Sequence, residues 1–551
     1  MKLKRIISFI CLLTFVISIF SFNSLTKGNK VIAASKAPIT LTFYNGNTTD
    51  KPHSDLFGTK IGKEITKLTG VKLKINYLVG EDEATKVSIM IASGDLPDLI
   101  YGHQEHGKFI EAGLLVPIED YIQKYGVNTK KTYSALDLKR LKQSDGHIYF
   151  LSPQRSEPSV SNPANAGFWL PLDALKENKW PKIRYWDDYL TFIRNYVKKH
   201  PTIDGAKTIG FTFITESWRF FTLENPPSYL MGYQNDGDVI VDPKTYEAKQ
   251  FFTSAGAKRY YRDLNKLWNE GLIDKDAFVQ GYDQYIAKIA QGRVVGFYDQ
   301  GWQWFYNAGM SLIQNKKENK LLVAFPVTYK GVAKSKYNVL QPIGARDGIS
   351  ISKKCKNPVA AFKFLDALLS NEAQMLMYWG IKGEDYLLDK NGKPYRTAEM
   401  KKKHKDDEYC KKQGYGYWWL FPHAEVKLPN GIYRGPGNDP DDAYDDYTPI
   451  EKEALKAYNI KCFNDLLDKT TVSPYGFAWD INVPADRTDV TLANQKMHDV
   501  TRKYLPKLVM AKPNEFDKIW NEYVKAFSKT NYTVYEKFKT EQIKWRMKAW
   551  N

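Results

Sequence analysis

The sequence predicts an α/β fold with mainly parallel sheets flanked by helices. Residues 39–44 and 71–78 alternate between apolar and polar side chains as strands do, and residues 55–68 between them carry apolar residues at helical spacing. Residues 82–92 again have helical spacing, and the short apolar strand 98–101 follows. Strand, helix, strand, helix and strand in this order are typical of a parallel sheet with right-handed crossovers.

The joint between the second helix and the third strand organises this unit. Gly94 suits the left-handed position that ends a helix, and Pro97 cannot continue one. The strand must therefore begin at once. Ligands of such sheets bind outside the carboxyl ends of the strands, which makes Tyr44, Asn45 and His103 candidate binding residues.

Length and composition indicate a large protein with surplus aromatic surface. A chain of 551 residues exceeds the size of a typical single core, so two lobes are expected. Aromatic residues make up 14%, including 36 Tyr and 14 Trp. Many must fill the cores, but the surplus suits stacking on flat partners such as sugar rings.

The N-terminus predicts export. Basic residues near Met1 precede the uncharged run 6–22, which is typical of a signal peptide, and small residues favour cleavage after Ala33 or Ala34. We therefore assign residues 1–34 to a signal peptide. An uncleaved anchor is the alternative, since the run approaches the length of a spanning helix.

Charge and motifs exclude several classes of protein. The net charge of +18 comes without finger-like Cys/His spacing, a basic block or an RNA-binding aromatic strand, so no nucleic-acid partner is predicted. An anionic cell wall, membrane surface or acidic glycan suits this charge better. The chain has no nucleotide-binding glycine loop and no G-x-S-x-G elbow. His103 and His106 lack a third spaced ligand, so neither a metal nor a cofactor is predicted.

Several segments together resemble one family. They are the Ser-Gly-Asp-Leu-Pro-Asp joint, the Asp-Gly-His-Ile-Tyr turn at 145–149, and the segments 291–304, 341–352, 357–365 and 370–374. The chain resembles the extracellular sugar-binding proteins of bacterial ABC importers, in particular their long oligosaccharide-binding type. This resemblance implies a two-lobe periplasmic-binding-protein-like fold joined by hinge crossings.

From the same resemblance we expect a specific division of the chain. The first lobe takes residues 36–151 and continues at about 297–345. The second takes residues 152–296 and continues at about 346–551, ending in a tail of three helices from Leu492. Residues 152–163 are the expected first crossing.

The chain departs from family patterns at two places. Cys11 lies inside the apolar run instead of following a lipobox, so a lipid anchor is not expected. The loop that holds calcium in several relatives corresponds to residues 201–207, which contain a single carboxylate, so no metal is predicted there. For the acid-rich residues 438–446, a solvated loop and a calcium site both remain open.

The resemblance implies a receptor without catalytic activity. Such a receptor closes its lobes on an oligosaccharide and delivers it to a membrane permease. For this chain we expect a monomer and an oligosaccharide of plant-cell-wall origin. The alternative is an exported glycan-cleaving enzyme, which needs two carboxylates at a defined separation that a sequence cannot measure.

Residues 299–304 are the first candidate binding segment. Asp299, Gln300, Trp302 and Trp304 combine flat rings with polar partners, and an extended backbone would place both indoles on one face. The alternative is that one or both indoles anchor the segment in the core. The expected opposing groups are Trp218 and the loop at 414–421, with Tyr415, Tyr417, Trp418 and Trp419. Arg346 joins Tyr44, Asn45 and His103 as a further candidate.

Overall fold

The computed structural model describes residues 37–47, 52–153, 165–469 and 471–550. The predicted signal peptide, residues 1–34, and most of the predicted first crossing lie outside the described residues. No helix of the described ranges is long and apolar enough to cross a membrane.

The strands of the described residues form two main sheets and three small hairpins. In chain order they are β1 Ile39–Asn45, β2 Val71–Tyr77, β3 Leu99–Tyr101, β4 Phe150–Leu151, β5 Ala166–Pro171, β6 Thr202–Ile203, β7 Ala206–Lys207, β8 Ile209–Phe211, β9 Val239–Val241, β10 Ala248–Gln250, β11 Val294–Gln300, β12 Leu322–Phe325, β13 Ile349–Ile351, β14 Leu387–Leu388 and β15 Pro394–Tyr395. The first sheet has the order β2-β1-β3-β13-β4, and the second has the order β12-β5-β11-β8.

The predicted parallel unit is confirmed. β1 pairs in parallel with β2 and with β3. Gly94 ends the second helix with φ 66°, in the left-handed region. The predicted helix at 55–68 is divided, because Thr59 has an extended backbone and its hydroxyl accepts a hydrogen bond from the N–H of Gly62. A 3-10 turn, Leu56–Gly58, therefore precedes the helix Lys60–Thr69.

Helices cover the sheets. Those of eight or more residues are Lys60–Thr69, Glu83–Ser93, Trp186–Lys199, Ala255–Asn269, Tyr282–Ala290, Pro358–Leu368, Asn371–Tyr378, Pro449–Tyr458, Thr488–Met510, Phe516–Phe527 and Tyr532–Trp550. The last three confirm the predicted helical tail. All three pack on lobe 2, and the helix Thr488–Met510 packs on both of the others. Trp550 also lies 5.9 Å from the guanidinium of Arg140 in lobe 1. The tail thus contacts both lobes.

Two separate hydrophobic cores define the lobes, which confirms the two-lobe architecture. The core of lobe 1 contains residues such as Leu41, Ile100, Ile349, Phe362 and Trp418. The core of lobe 2 contains residues such as Phe168, Phe297, Val323, Tyr447 and Met497.

The structure corrects the predicted division of the chain. Residues 297–345 do not return to lobe 1, because β11 and β12 flank β5 in the second sheet. Residues 349–421 instead supply β13 and core side chains to lobe 1, and the chain re-enters the core of lobe 2 at Tyr447. A buried strand has the same local pattern in either sheet, so only the pairing decides which lobe it joins.

Candidate functional site

An aromatic surface lies on lobe 2. The indole rings of Trp218 and Trp302 stack with centroids 6.0 Å apart at 22°, and the ring of Phe221 also stacks with Trp218, at 6.0 Å and 16°. Trp302 is 50% exposed and Trp218 is partly exposed. We call Trp218, Trp302 and Phe221 the aromatic platform.

Strand pairing explains why the platform forms. β8 and β11 are parallel neighbours, so their carboxyl ends meet at one edge of the sheet. The 3-10 turn Ser217–Phe220 follows β8 and presents Trp218, while the helix Gly301–Trp304 follows β11 and presents Trp302. Trp218 was expected to oppose Trp302 from the other lobe, and the structure corrects this expectation, because the shared sheet edge places both indoles side by side on lobe 2.

Three residues of this surface, Arg219, Tyr282 and Glu216, were not predicted from the sequence. The guanidinium of Arg219 lies 4.6 Å from the ring of Trp218 and 4.3 Å from the ring of Tyr282, so it is held between two aromatic faces. Glu216 accepts a hydrogen bond from the N–H of Tyr282 at 2.9 Å and lies 3.8 Å from Arg219. In the sequence, the position of Arg219 next to Trp218 could have indicated its role, whereas nothing in the sequence indicated Tyr282.

The segment after β11 is helical, which corrects the expected extended loop. Gly301–Trp304 is followed by a π-helical turn, Phe305–Gly309. Helical rotation separates the two indoles, and Trp304 is fully buried against Trp169, with ring centroids 5.0 Å apart. Trp304 therefore belongs to the core, as the alternative interpretation held.

Tyr306 lies one turn beyond Trp302 and is 64% exposed. Desolvation nevertheless raises the pKa of its hydroxyl. Because four residues make about one helical turn, the exposed ring of Tyr306 lies on the same side of this segment as Trp302.

Asp299 and Gln300 support the end of β11. The carboxyl of Asp299 is fully buried and accepts hydrogen bonds from the Tyr285 hydroxyl at 2.8 Å and from Gln303 Nε2 at 2.8 and 3.0 Å. Burial raises the pKa of Asp299 to about 7. Gln300 is partly buried, and its amide nitrogen lies 3.4 Å from the Tyr298 hydroxyl. The expected exposure of Asp299 to ligand is thus corrected, because its carboxyl is enclosed.

At the carboxyl edge of the first sheet, Tyr44 and Asn45 are buried. The pKa of Tyr44 is raised by burial and by the nearby carboxylates of Glu83 and Glu81. His103 is only partly buried; its Nδ1 lies 3.0 Å from Glu83 Oε2. Of the three candidates at this edge, His103 has the most accessible side chain.

The aromatic loop at 414–421 belongs mainly to the core of lobe 1, which corrects its expected position opposite the platform. Trp418 is fully buried, packs edge-on against Phe57 with centroids 5.5 Å apart, and donates its indole N–H to the carbonyl of Gly414. Tyr415 stacks on His404 at 4.2 Å, and Tyr417 packs edge-on against a histidine. Trp419 alone of the four is exposed, at 42%.

Arg346 lies where the chain passes from lobe 2 back to lobe 1. Its guanidinium is 2.8 Å from Asp347 and 3.9 Å from Asp480, and it lies 5.2 Å from the ring of Trp479. The Tyr101 hydroxyl at the end of β3 donates to Asp347 at 3.4 Å. Arg346 therefore connects the first sheet to the C-terminal region, and Trp479 is a neighbour that sequence reasoning missed.

The acid-rich residues 438–446 form a short helix, Pro440–Asp446, whose carboxylates pair with cations. Arg396 pairs with Asp442 and with Asp446, and Lys393 pairs with Asp441 at 2.7 Å. Within the described ranges, no group of three or more His, Cys, Asp or Glu residues is arranged to hold a metal ion.

Sequence comparisons with known proteins match more than half of the chain. The sequence profile of the bacterial extracellular solute-binding proteins matches residues 55–375. The fructooligosaccharide ABC transporter substrate-binding protein FusA of Streptococcus pneumoniae is 26% identical over 351 residues, which cover 59% of this chain and 60% of FusA. Lipoprotein LipO of Bacillus subtilis is 24% identical over 59% of this chain and 64% of LipO. Both alignments thus span less than two thirds of the relative.

Solved structures share the fold over nearly the whole chain. FusA of S. pneumoniae in complex with kestose superposes with a TM-score of 0.66 at 20% identity, covering 92% of this chain and 99% of FusA. The HMO-binding solute-binding protein of Bifidobacterium longum infantis gives 0.68 at 16% identity, with coverage of 92% and 99%. Because the family profile covers more than half of the chain and the two-lobe fold is shared, this protein belongs to the bacterial extracellular solute-binding protein family.

Proposed function

We propose that this protein is a receptor that binds an oligosaccharide between its two lobes and delivers it to the permease of an ABC transporter. The aromatic platform carries the proposal, because it offers flat, exposed rings at the carboxyl edge of a sheet in a two-lobe fold. Stacked indoles suit the C–H faces of sugar rings. The names of FusA and of the HMO-binding relative support this ligand class.

Hinge closure is the proposed mechanism. Trp302 and Trp218 lie on lobe 2, and His103 lies at the corresponding edge of lobe 1. A ligand that contacts both lobes only in the closed form shifts the population toward that form by its differential affinity. The chain segments that connect the lobes, residues 338–348 and 422–446 among them, would absorb the rotation.

The enzyme alternative has little support near the platform. A glycosidase needs two carboxyl groups placed across the glycosidic bond. The carboxyl of Asp299 is enclosed by Tyr285 and Gln303, and that of Glu216 is engaged with Tyr282 and Arg219. Both are occupied in holding the platform.

Export and attachment extend the proposal. Residues 1–34 direct export and are removed, and the mature basic protein stays near the cell surface through the anionic wall, as a monomer and without a lipid anchor. The proposed ligand is a plant-wall oligosaccharide. Intact mass of the native protein tests the first part: a chain that begins near Ala34 without acyl mass supports it, and an acylated or uncleaved chain contradicts it.

Calorimetry with oligosaccharide ladders tests the receptor function. Plant-wall and fructan ladders are titrated into the full mature chain, while reducing ends and small-angle scattering are recorded. The proposal expects saturable binding, a smaller radius of gyration and no new reducing ends. New reducing ends would favour the enzyme, and an unchanged radius at saturation would contradict hinge closure.

A further inference from the structure

A groove of about 720 Å³ runs along lobe 2 beside the aromatic platform. One wall is the helix Tyr282–Ala290, and the other is the helical segment from the π-helical turn Phe305–Gly309 to Gln314. We call this feature the lateral groove. The sequence did not predict this groove.

The lateral groove begins at the platform and leads away from it. The helix Tyr282–Ala290 precedes β11 in the chain, and the segment Phe305–Gly309 follows it. Both run antiparallel to the strand. The first turn of each therefore lies near the carboxyl end of β11, where the platform is. Asn307 Nδ2 donates to the Tyr282 hydroxyl at 3.1 Å at this end. At the far end, Lys317 Nζ lies 3.4 Å from the carbonyl of Gln291.

Arg219 joins the groove to the platform. Its guanidinium lies between the rings of Trp218 and Tyr282, and Tyr282 also lines the groove. The surface therefore continues from the stacked indoles, across Arg219 and Tyr282, into the groove. Nine helical residues at about 1.5 Å each give the groove wall a length of about 13 Å, which exceeds one sugar ring.

The lining has the chemistry of a carbohydrate subsite. Ile286, Ala287 and Ala290 form an apolar strip on the wall made by the helix Tyr282–Ala290. Asn307, Ser311 and Asn315 line one wall at intervals of four residues, so an amide, a hydroxyl and a second amide form a row along a single helix face. The C–H faces of sugar rings pack well on these apolar side chains, and sugar hydroxyls form hydrogen bonds with the polar row.

The charged residues that line the groove indicate which kind of ligand it can bind. Lys317 pairs with Asp204 at 2.7 Å, and Asp283 is the acidic residue of the lining. The groove therefore does not present a cluster of cations to a polyanion. A neutral, hydroxyl-rich chain suits it better than an acidic glycan or a phosphate polymer.

We propose that the lateral groove is an outer subsite, in which sugar units beyond those stacked on Trp218 and Trp302 lie between the two helices. This inference rests on the proposed function and makes the protein selective for longer, neutral oligosaccharides. The π-helical turn in the groove wall agrees with this role, since such turns concentrate at functional sites.

The test fills the groove and measures the dependence of affinity on chain length. Ala287 is exposed and lines the groove, so Ala287→Trp occupies it without disturbing the core. Gln284 is exposed on the same helix but does not line the groove, and Gln284→Trp is the matched control. Calorimetry uses neutral plant-wall and fructan ladders from disaccharides upward with the full mature chain.

We expect Ala287→Trp to lower affinity for the longest bound members about tenfold or more, while affinity for the shortest stays within about twofold. Gln284→Trp should change neither, and Trp302→Ala should weaken all lengths. Equal affinity of Ala287→Trp and the control across the ladder would overturn the subsite. If affinity is unchanged but Ala287→Trp lowers sugar uptake by cells, the groove contacts the permease and not the sugar.

Two other outcomes, a destabilised variant and a complete absence of binding, have separate interpretations. If Ala287→Trp lowers the melting temperature, the double variant Ser311→Ala, Asn315→Ala replaces it and must show the same dependence on chain length. If no ladder member binds the unaltered protein, the proposed function fails, and the subsite fails with it.

Discussion

Trp218 and Trp302 stack with ring centroids 6.0 Å apart and 22° between their planes, although they lie in segments that are far apart in the chain. The parallel neighbours β8 and β11 bring them together. Phe221 and the guanidinium of Arg219 flank Trp218. The platform is therefore held in place before any ligand arrives, which reduces the entropy that binding must overcome.

Replacement of Trp302 by Ala should weaken binding and leave the fold intact. Trp302 is half exposed, so its loss removes a ring that we propose stacks on ligand and opens no cavity in the core. We expect the binding free energy of the oligosaccharide to become less favourable by about 1–3 kcal/mol relative to the unaltered protein. Calorimetry gives the affinity, and thermal denaturation reports the fold.

Trp545→Ala provides the control for this experiment, because Trp545 is 42% exposed on the C-terminal helix Tyr532–Trp550. It should leave the affinity unchanged. If Trp302→Ala binds as tightly as this control, the platform does not contact ligand.

Replacement of Trp304 by Ala should instead destabilise lobe 2. The indole is fully buried, with Trp169 at 5.0 Å and Phe297 at 5.8 Å between ring centroids. Truncation of such a side chain leaves a cavity, and we expect the free energy of unfolding to fall by about 3–5 kcal/mol. Urea denaturation measures it; a stability equal to that of Trp302→Ala would contradict the core assignment.

Asp299 should give the protein a pH-dependent stability. Burial raises the pKa of this carboxyl from 3.8 to about 7 in the folded state. Between these values the folded protein keeps a proton that the unfolded chain has released, so stability is full at low pH and falls as pH rises through the folded pKa. Asp299→Asn removes this titration.

The measurement compares unfolding free energies of the unaltered protein and Asp299→Asn across this range. The unaltered protein should lose stability relative to the variant as pH rises from 3.8 to about 7. Burial also raises the pKa of Asp236, to about 6. Asp236 is present in both proteins, so its contribution to the pH dependence cancels when their unfolding free energies are subtracted. Two parallel curves would rule out a raised pKa for Asp299.

His498 should hold the C-terminal helices as a partly buried cation. Its Nε2 lies 3.1 Å from Asp238, its Nδ1 lies 3.6 Å from Glu224, and the Asp238 charge raises the pKa of the imidazole well above its usual range. His498→Gln leaves the two carboxylates without their cation, and we expect a loss of about 3–5 kcal/mol in unfolding free energy.

The pH dependence of this loss follows from the direction of the shift. A raised imidazole pKa stabilises the fold fully below the usual value of 6.5, and the contribution disappears as pH rises through the folded pKa. Chemical denaturation should therefore show a large difference at neutral pH that narrows under alkaline conditions. A difference that does not depend on pH would indicate lost packing instead of a lost charge.

The local course of the chain was predictable from the sequence because local chemistry controls it. Strand alternation over residues 71–78 and helical spacing over 82–92 needed no partner to be recognised, and Gly94 and Pro97 placed the joint between helix and strand. Chain length and the family motifs predicted the two lobes, and the residue pattern from Leu492 onward predicted the C-terminal helices; the structure confirms both.

The tertiary structure alone decided which strand joins which sheet and which aromatic side chain reaches the surface. β11 and β12 are buried strands whose local pattern suits either lobe, and their pairing with β5 assigns them to lobe 2. The helical backbone after Gln300 turns Trp302 outward and Trp304 into the core. Both outcomes depend on contacts between segments distant in the chain, and residue periodicity reports the spacing within a segment but not its neighbours.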